Sequence, residues 1–187
     1  MKINILIPVY NDWQSLSKLL ENINLEVSNL DHEFSVIIVN DASNENRPEF
    51  SVNLDNFKSV KIINMKENRG HARCNASGLK YIIENEEFDY VIPMDGDGED
   101  RPEEIKQFVD NLEYYPHKAI VGERVKRSEG SFFKLCYLIH KIITIVFTGQ
   151  SIKFGNYTFL PKSTVEKMLQ EKATWSSFSG SLAKVAK

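Results

Sequence analysis

Five short runs of aliphatic and β-branched residues recur along the chain, at 3–9, 34–40, 60–65, 90–94 and 119–121, with helical patterns between them. The runs are apolar at nearly every position rather than at every second one, which marks strands buried on both faces of a parallel sheet. After the first run Trp13, Leu16, Leu19, Leu20 and Ile23 recur at helical spacing, and after the third Ala72, Ala76, Leu79 and Ile83 do the same. Alternating strands and helices join through right-handed crossovers, so the chain is expected to be α/β, an open and mostly parallel sheet flanked by helices. Such a sheet binds its ligands at the carboxyl ends of its strands. Three runs stop at polar residues there: Tyr10-Asn11-Asp12, Asp41-Ala42-Ser43-Asn44 and Asp95-Gly96-Asp97-Gly98. Three polar loops are therefore expected along one edge. Residues 44–57 and 123–131 are polar and aperiodic and read as loops.

A length of 187 residues supports one substantial core and argues against several independent units. The balance of 26 acidic against 23 basic side chains, net -3, leaves no global positive field to gather phosphates, which excludes nucleic acid as an expected partner. Cys74 and Cys136 lie far apart without neighbours at metal-ligand spacing and read as reduced thiols. The opening Met1-Lys2-Ile3-Asn4-Ile5-Leu6-Ile7-Pro8 lacks the apolar segment and cleavage site of a secretory signal, so the fold is expected to begin at once and the protein to reside in the cytoplasm. Residues 132–147 are strongly apolar, but Lys134, His140 and Lys141 interrupt them and the stretch is shorter than the ~20 residues a spanning helix needs. Two readings stay open for it: a buried core helix, or an interfacial helix lying on the inner face of the membrane as a peripheral contact.

The strongest chemical signal is Tyr90-Val91-Ile92-Pro93-Met94-Asp95-Gly96-Asp97-Gly98-Glu99-Asp100, a buried strand running straight into carboxylates separated by glycines. Side chains two apart can converge on one ion where the backbone turns out of a strand, and hard carboxylate oxygens suit Mg²⁺ or Mn²⁺. A cation held by Asp95 and Asp97 would neutralise a diphosphate and stabilise it as a leaving group. The bland alternative is a solvated acidic turn, or a capping cluster ahead of Pro102-Glu103-Glu104 in which Asp100 favours the helix dipole. His71, His117 and His140 read as surface or packing histidines.

Four motifs in order resemble glycosyltransferase family 2, the nucleotide-sugar enzymes of GT-A fold: Ile5-Leu6-Ile7-Pro8-Val9-Tyr10-Asn11; Val36-Ile37-Ile38-Val39-Asn40-Asp41-Ala42-Ser43; Asn68-Arg69-Gly70 with its following helix; and Asp95-Gly96-Asp97 as the family's Asp-x-Asp motif. The likeness covers about the first 105 residues, and Phe154-Gly155-Asn156-Tyr157 is more loosely similar to the branch that acts on polyprenyl phosphate or cell-surface glycans. The resemblance implies one GT-A domain over 1–187, with a nucleotide-sugar part at 1–105 and an acceptor part at 106–187. It implies Pro8, Tyr10 and Asn11 in the loop lining the nucleotide, Asp41 on the base, commonly uracil, and Asn68, Arg69, Gly70 and Arg73 near base or phosphates. Asp95 would touch the donor and Asp97 would share the metal with it; Asn156 would face the acceptor. Without the resemblance, Asn11 and Asp12 read as a turn capping the next helix, and Asp41-Ala42-Ser43 as an Asx turn.

The implied activity is metal-assisted transfer from a nucleotide-diphosphate sugar, with UDP favoured, to a polyprenyl phosphate or a glycan. The polyprenyl-phosphate branch commonly carries Asp where Asn156 stands, and an amide is no general base. No Asp follows Asp110, so Glu123, Glu166 or Glu171 would have to serve, unless the acceptor is an already ionised phosphate. Relatives continue beyond the point matching Lys187 with a basic loop and sometimes membrane helices, so part of the acceptor site is expected outside this sequence. Two rivals are weighed. A sugar nucleotidyltransferase would show a Gly-rich basic loop after the first strand, which Pro8-Val9-Tyr10-Asn11-Asp12-Trp13 is not. A degenerate or incomplete module that binds nucleotide sugar without turnover is the other.

Overall fold

A computed structural model describes residues 1–46, 53–123 and 154–186. Six strands form one sheet: β1 (Lys2–Val9), β2 (Glu33–Asn40), β3 (Phe57–Asn64), β4 (Tyr90–Pro93), β5 (Ile120–Glu123) and β6 (Phe154–Pro161). Their spatial order is β3-β2-β1-β4-β6-β5. β1 pairs in parallel with β2 and β4, and β2 with β3, while β6 runs antiparallel to both β4 and β5. The sheet is thus parallel on its amino-terminal side and antiparallel on the other, a mixed version of the arrangement the sequence predicts. The helices are α1 (Trp13–Val27), α2 (His71–Asn85), α3 (Ile105–Asp110), α4 (Lys162–Gln170) and α5 (Phe178–Val185).

Apolar residues on both faces of the central strands make three layers. Ile3, Ile5, Ile7 and Val9 point to one side, against Leu16, Leu20 and Ile23 of α1 and Phe108 of α3. Leu6, Ile37 and Val39 point to the other, against Leu79 and Ile82 of α2, Val165 and Met168 of α4 and Leu182 of α5. α2 approaches the sheet closely at Gly78, where a methyl group would lie 2.3 Å from Leu6 Cδ1 and 2.9 Å from Val39 Cγ2, so a larger residue would force these core side chains to shift. With β1 buried from Ile3 to Val9, its end is a fixed reference point for the loops beside it.

Residues 132–147, with Cys136 and His140, lie outside the described residues, as does much of the 123–131 loop. No helix among the described residues is long and apolar enough to cross a membrane.

Candidate functional site

The expected polar loops do meet at the carboxyl ends of the strands. At the end of β1, Asn11 takes a left-handed backbone (φ 54), and at the end of β2 so does Ala42 (φ 58). That conformation costs an ordinary residue about 1–2 kcal/mol, and the hydrogen bonds around it hold it in place. The Asn11 amide N–H donates to Ser43 Oγ at 2.9 Å, and Asn11 Oδ1 accepts the Asn44 and Glu45 N–H groups at 2.9 and 3.2 Å. Asn40 Oδ1 in turn accepts the Ser43 N–H at 2.9 Å. Asp12 caps α1 by accepting the Ser15 N–H at 3.2 Å. Pro8 is buried, whereas Tyr10 is half exposed above it.

Asp41 is buried, at 4% exposure, yet its carboxylate is satisfied. Its two oxygens accept the Arg69 and Gly70 N–H groups, each at 2.8 Å, at the amino end of α2. Backbone donors and a helix amino terminus both favour a carboxylate, which explains how the charge tolerates burial. Asp41 therefore ties the β2 end to the Asn68-Arg69-Gly70 turn, whose Gly70 has φ 83. Asn68, Arg69 and Arg73 are exposed, and the Arg69 guanidinium pairs with Glu67.

The acidic loop leaves β4 alongside β1. Ladder bonding continues to Met94, whose N–H donates to the Leu6 carbonyl at 2.9 Å, and Asp95 then departs from the sheet. Gly96 lies so close to β1 that a methyl group there would be 2.9 Å from the Pro8 carbonyl oxygen. Asp100 is buried and closes the loop by accepting the Asp95 N–H at 2.8 Å. Asp97 is exposed, and its Oδ1 accepts the Glu99 N–H at 2.9 Å.

Strand β6 grips this loop through two neighbouring residues, whose side chains leave the strand on opposite faces. Asn156 Nδ2 donates to Asp95 Oδ1 at 3.2 Å, and the Tyr157 hydroxyl donates to the Arg101 carbonyl at 2.7 Å. Burial pushes the Tyr157 phenol well above its ordinary range, so it stays a donor. His71 joins from the first turn of α2, with Nε2 2.6 Å from Asn156 Nδ2, 2.9 Å from Asn75 Nδ2 and 3.2 Å from Asp95 Oδ1. The bond to Asp95 raises the imidazole's pKa above its ordinary value, against the opposing effect of partial burial.

The structure thus brings together Pro8 with Gly96, Asn11 with Ser43 and Asn44, Asp41 with Arg69 and Gly70, and Asp95 with Asn156. His71, read from sequence as a surface or packing residue, is exposed, and its ring also reaches Asn156 and Asp95. The available signal was helical: His71 and Asn75 are four apart and share a face at the start of α2. Of the acidic candidates for a base, Glu171 pairs with Lys184 at 3.7 Å and Glu166 is exposed on α4, while β5 ends at Glu123.

Among the described residues no three His, Cys, Asp or Glu side chains converge into a ready-made metal cage. Two carboxylates on one loop nevertheless fit Mg²⁺ or Mn²⁺, which are commonly held by one or two protein oxygens and completed by substrate phosphates and water. A cleft of about 750 Å³ opens at the opposite edge of the sheet, lined by Lys2, Glu33, Glu86, Phe88, Asp89 and Lys162. It lies at the amino ends of the strands, away from Asp95.

The family model described as "Glycosyl transferase family 2" matches residues 4–173. Undecaprenyl-phosphate 4-deoxy-4-formamido-L-arabinose transferase of Proteus mirabilis is 29% identical over 182 residues, covering 93% of this chain and 54% of that protein. Its counterpart in Photorhabdus laumondii is 28% identical over 180 residues, with the same coverage of 93% and 54%. The chain thus spans about half the length of these curated relatives. Among solved structures, S. aureus TarS 1-349 in complex with UDP-GlcNAc superposes with a TM-score of 0.53 at 19% identity, over 70% of this chain and 36% of that one. The mannosyltransferase PcManGT from Pyrobaculum calidifontis, in complex with GDP-Man and Mn²⁺, does so with a TM-score of 0.56 at 18% identity, over 89% and 46%. These structural likenesses speak to the fold alone.

Proposed function

The chain belongs to glycosyl transferase family 2, and on that premise we propose that it transfers a sugar from a nucleotide-diphosphate donor, a UDP-sugar above others, to a lipid-phosphate or cell-surface glycan acceptor. The observation that carries this reading is the convergence of the β1, β2 and β4 loops on one edge, with the Asp95-Gly96-Asp97 turn set against Pro8 and tied to β6 by Asn156. Asp95 and Asp97 would hold a divalent cation together with the donor's diphosphate. When bound, that cation supplies positive charge to the departing phosphate oxygens. Pro8, Tyr10, Asn11 and Asp41 border the place for the nucleoside, with Asn68, Arg69, Gly70 and Arg73 beside it.

Asn156 bears on the acceptor. Its amide serves as a donor to Asp95 and cannot remove a proton from an attacking hydroxyl. A phosphate acceptor, already anionic at neutral pH, needs no such base, and the undecaprenyl-phosphate transferases similar to this chain support that choice. A lipid-phosphate acceptor also makes the inner face of the membrane the place of action, with a peripheral contact rather than a span. The alternative of a binding module without turnover draws on the same residue.

Calorimetric titration of UDP and then GDP, with and without Mn²⁺, on the wild type and Asp97→Ala tests the reading. Metal-dependent binding lost in the variant is expected. Metal-independent binding, or none by folded protein, would remove the metal assignment and favour a degenerate module.

A further inference from the structure

The loop that carries Asp95 and Asp97 leaves β4, and β4 lies between β1 and β6 in the sheet. Both neighbouring strands hold it. On one side β1 takes the entry, with the Met94 N–H on the Leu6 carbonyl at 2.9 Å and Gly96 set against the Pro8 carbonyl. On the other side β6 takes the exit, where the Tyr157 hydroxyl donates to the Arg101 carbonyl at 2.7 Å from 56 positions away in sequence. The same carbonyl accepts the Glu104 N–H at 3.0 Å, closing the short turn at Pro102–Glu104 that leads into α3. Its two lone pairs are thus both used.

Tyr157 is built to be a fixed point. It is buried, and its ring is enclosed by the elements around the loop. Phe108 of α3 meets it edge-on, with ring centroids 4.9 Å apart. β5 covers it at Gly122, where a methyl group would lie 3.3 Å from the Tyr157 carbonyl oxygen and 3.6 Å from its Cδ1. A ring packed on these sides has little room to swing, so the core sets where the hydroxyl stands. Arg101 is divided between core and solvent: its guanidinium reaches Glu103 and Glu104 at 3.7 and 3.9 Å on the surface, while its carbonyl meets the tyrosine. Asp100, one residue before this anchor, accepts the Asp95 N–H at 2.8 Å, so holding Arg101 also steadies the closure of the acidic loop.

We propose that Tyr157 is a positioning residue: its hydroxyl anchors the exit of the acidic loop to β6, so that Asp95 and Asp97 meet the cation and the diphosphate in one preset geometry. This rests on the functional reading above only in taking that loop as the donor's. Without the hydroxyl the loop gains other arrangements, and apparent affinity falls with the share of time spent in them. One net hydrogen bond corresponds to roughly a fivefold change, which sets the size of the effect.

The test compares the wild type with Tyr157→Phe and Ile82→Val. The first variant removes only the hydroxyl and keeps the ring in its enclosure. The second trims a fully buried side chain near the carboxyl end of α2, at a cost in stability of similar size. Each protein is melted, titrated with UDP or GDP in the presence of Mn²⁺, and followed by amide exchange at Asp95, Glu99 and Glu104. Tyr157→Phe is expected to bind roughly fivefold more weakly and to exchange faster at these amides. Ile82→Val should melt earlier, bind as the wild type does and leave loop exchange unchanged. A merely structural role for the hydroxyl would make the two variants alike in binding. Wild-type affinity in Tyr157→Phe, or weaker binding with unchanged loop exchange, would overturn the proposal and leave the functional reading standing. Should the wild type bind neither nucleotide, the functional reading fails by itself. Exchange then decides the anchor: faster exchange in Tyr157→Phe supports it, and unchanged exchange refutes it.

Discussion

Gly96→Ala should push the acidic loop off the end of β1. The added methyl would sit 2.9 Å from the Pro8 carbonyl oxygen and 3.5 Å from Ile7 Cγ2. Carbon and oxygen normally approach to about 3.3–3.6 Å, so a retreat of roughly half an ångström is required. Pro8 is buried and paired with Val39 of β2, whereas Gly96 has already left the sheet, so the loop moves. Overpacking of this kind costs about 1–3 kcal/mol, and the stiffer unfolded chain returns about 0.4–1 kcal/mol. For a chain of 187 residues the remainder lowers the melting temperature by up to roughly 10 °C. Gly96 is not among the positive-φ glycines, so none of this reflects a forbidden backbone. Binding should suffer more specifically. A displacement of about 1 Å can cost about a hundredfold in rate, and half of that about tenfold.

Gly98→Ala is the matched control. Gly98 has φ 78 but nothing within 4 Å of a methyl group, so the change carries about 1–2 kcal/mol of backbone strain without a collision at Pro8. Both variants should melt earlier, and Gly96→Ala alone should lose about tenfold in Mn²⁺-dependent nucleotide binding by calorimetry. Equal losses in the two variants, or wild-type affinity in Gly96→Ala, would show that the Pro8 contact does not set the loop.

Asp41→Asn leaves one amide oxygen to serve two N–H donors and turns an NH₂ toward one of them. Denaturant melts should show a loss of about 1.5–3 kcal/mol, with faster exchange at Arg69 and Gly70, and unchanged stability would mean that Asp41 does not hold that turn. Cys74 is buried and donates to the Val39 carbonyl at 3.2 Å, and burial pushes its thiol up to about 12. In a Cys136→Ser background it should resist alkylation in the native state and react once unfolded. The unfolded thiol loses its proton near its ordinary 9.0 while the folded one keeps it. The unfolded chain then binds fewer protons, so stability should fall as pH rises from about 9 toward 12. A flat melting profile over that interval would contradict it.

The parallel half of the sheet was legible because burial on both faces makes its strands continuous apolar runs, and because each run ends where a polar loop must begin. The site edge followed from the same pattern, and Asp95-Gly96-Asp97 stood out as carboxylates for which a plain turn has no need. Strand β6 was harder to see. Its first three residues, Phe154, Gly155 and Asn156, are only partly buried, and Gly-Asn reads locally as a turn. Its place beside β4 depends on pairings such as Val91 with Leu160, and periodicity, being local, cannot report them.

The contacts of His71 were not legible for a related reason. Its partners lie on the loop after β4 and, 85 positions away, on β6, and a helical pattern tells which face a residue occupies but not what crosses to meet it. The same contact gives Asn156 a physical rationale that its resemblance to a missing base obscured. Asn156 Nδ2 is 3.2 Å from Asp95 Oδ1, and an aspartate in the same pose would set two carboxylates against each other at that distance, where like charges disfavour joint ionisation. The amide turns that repulsion into a hydrogen bond. On the proposed metal assignment, gaining a base at this position would therefore be expected to disturb the Asp95 carboxylate, unless the second carboxylate turned away from the first.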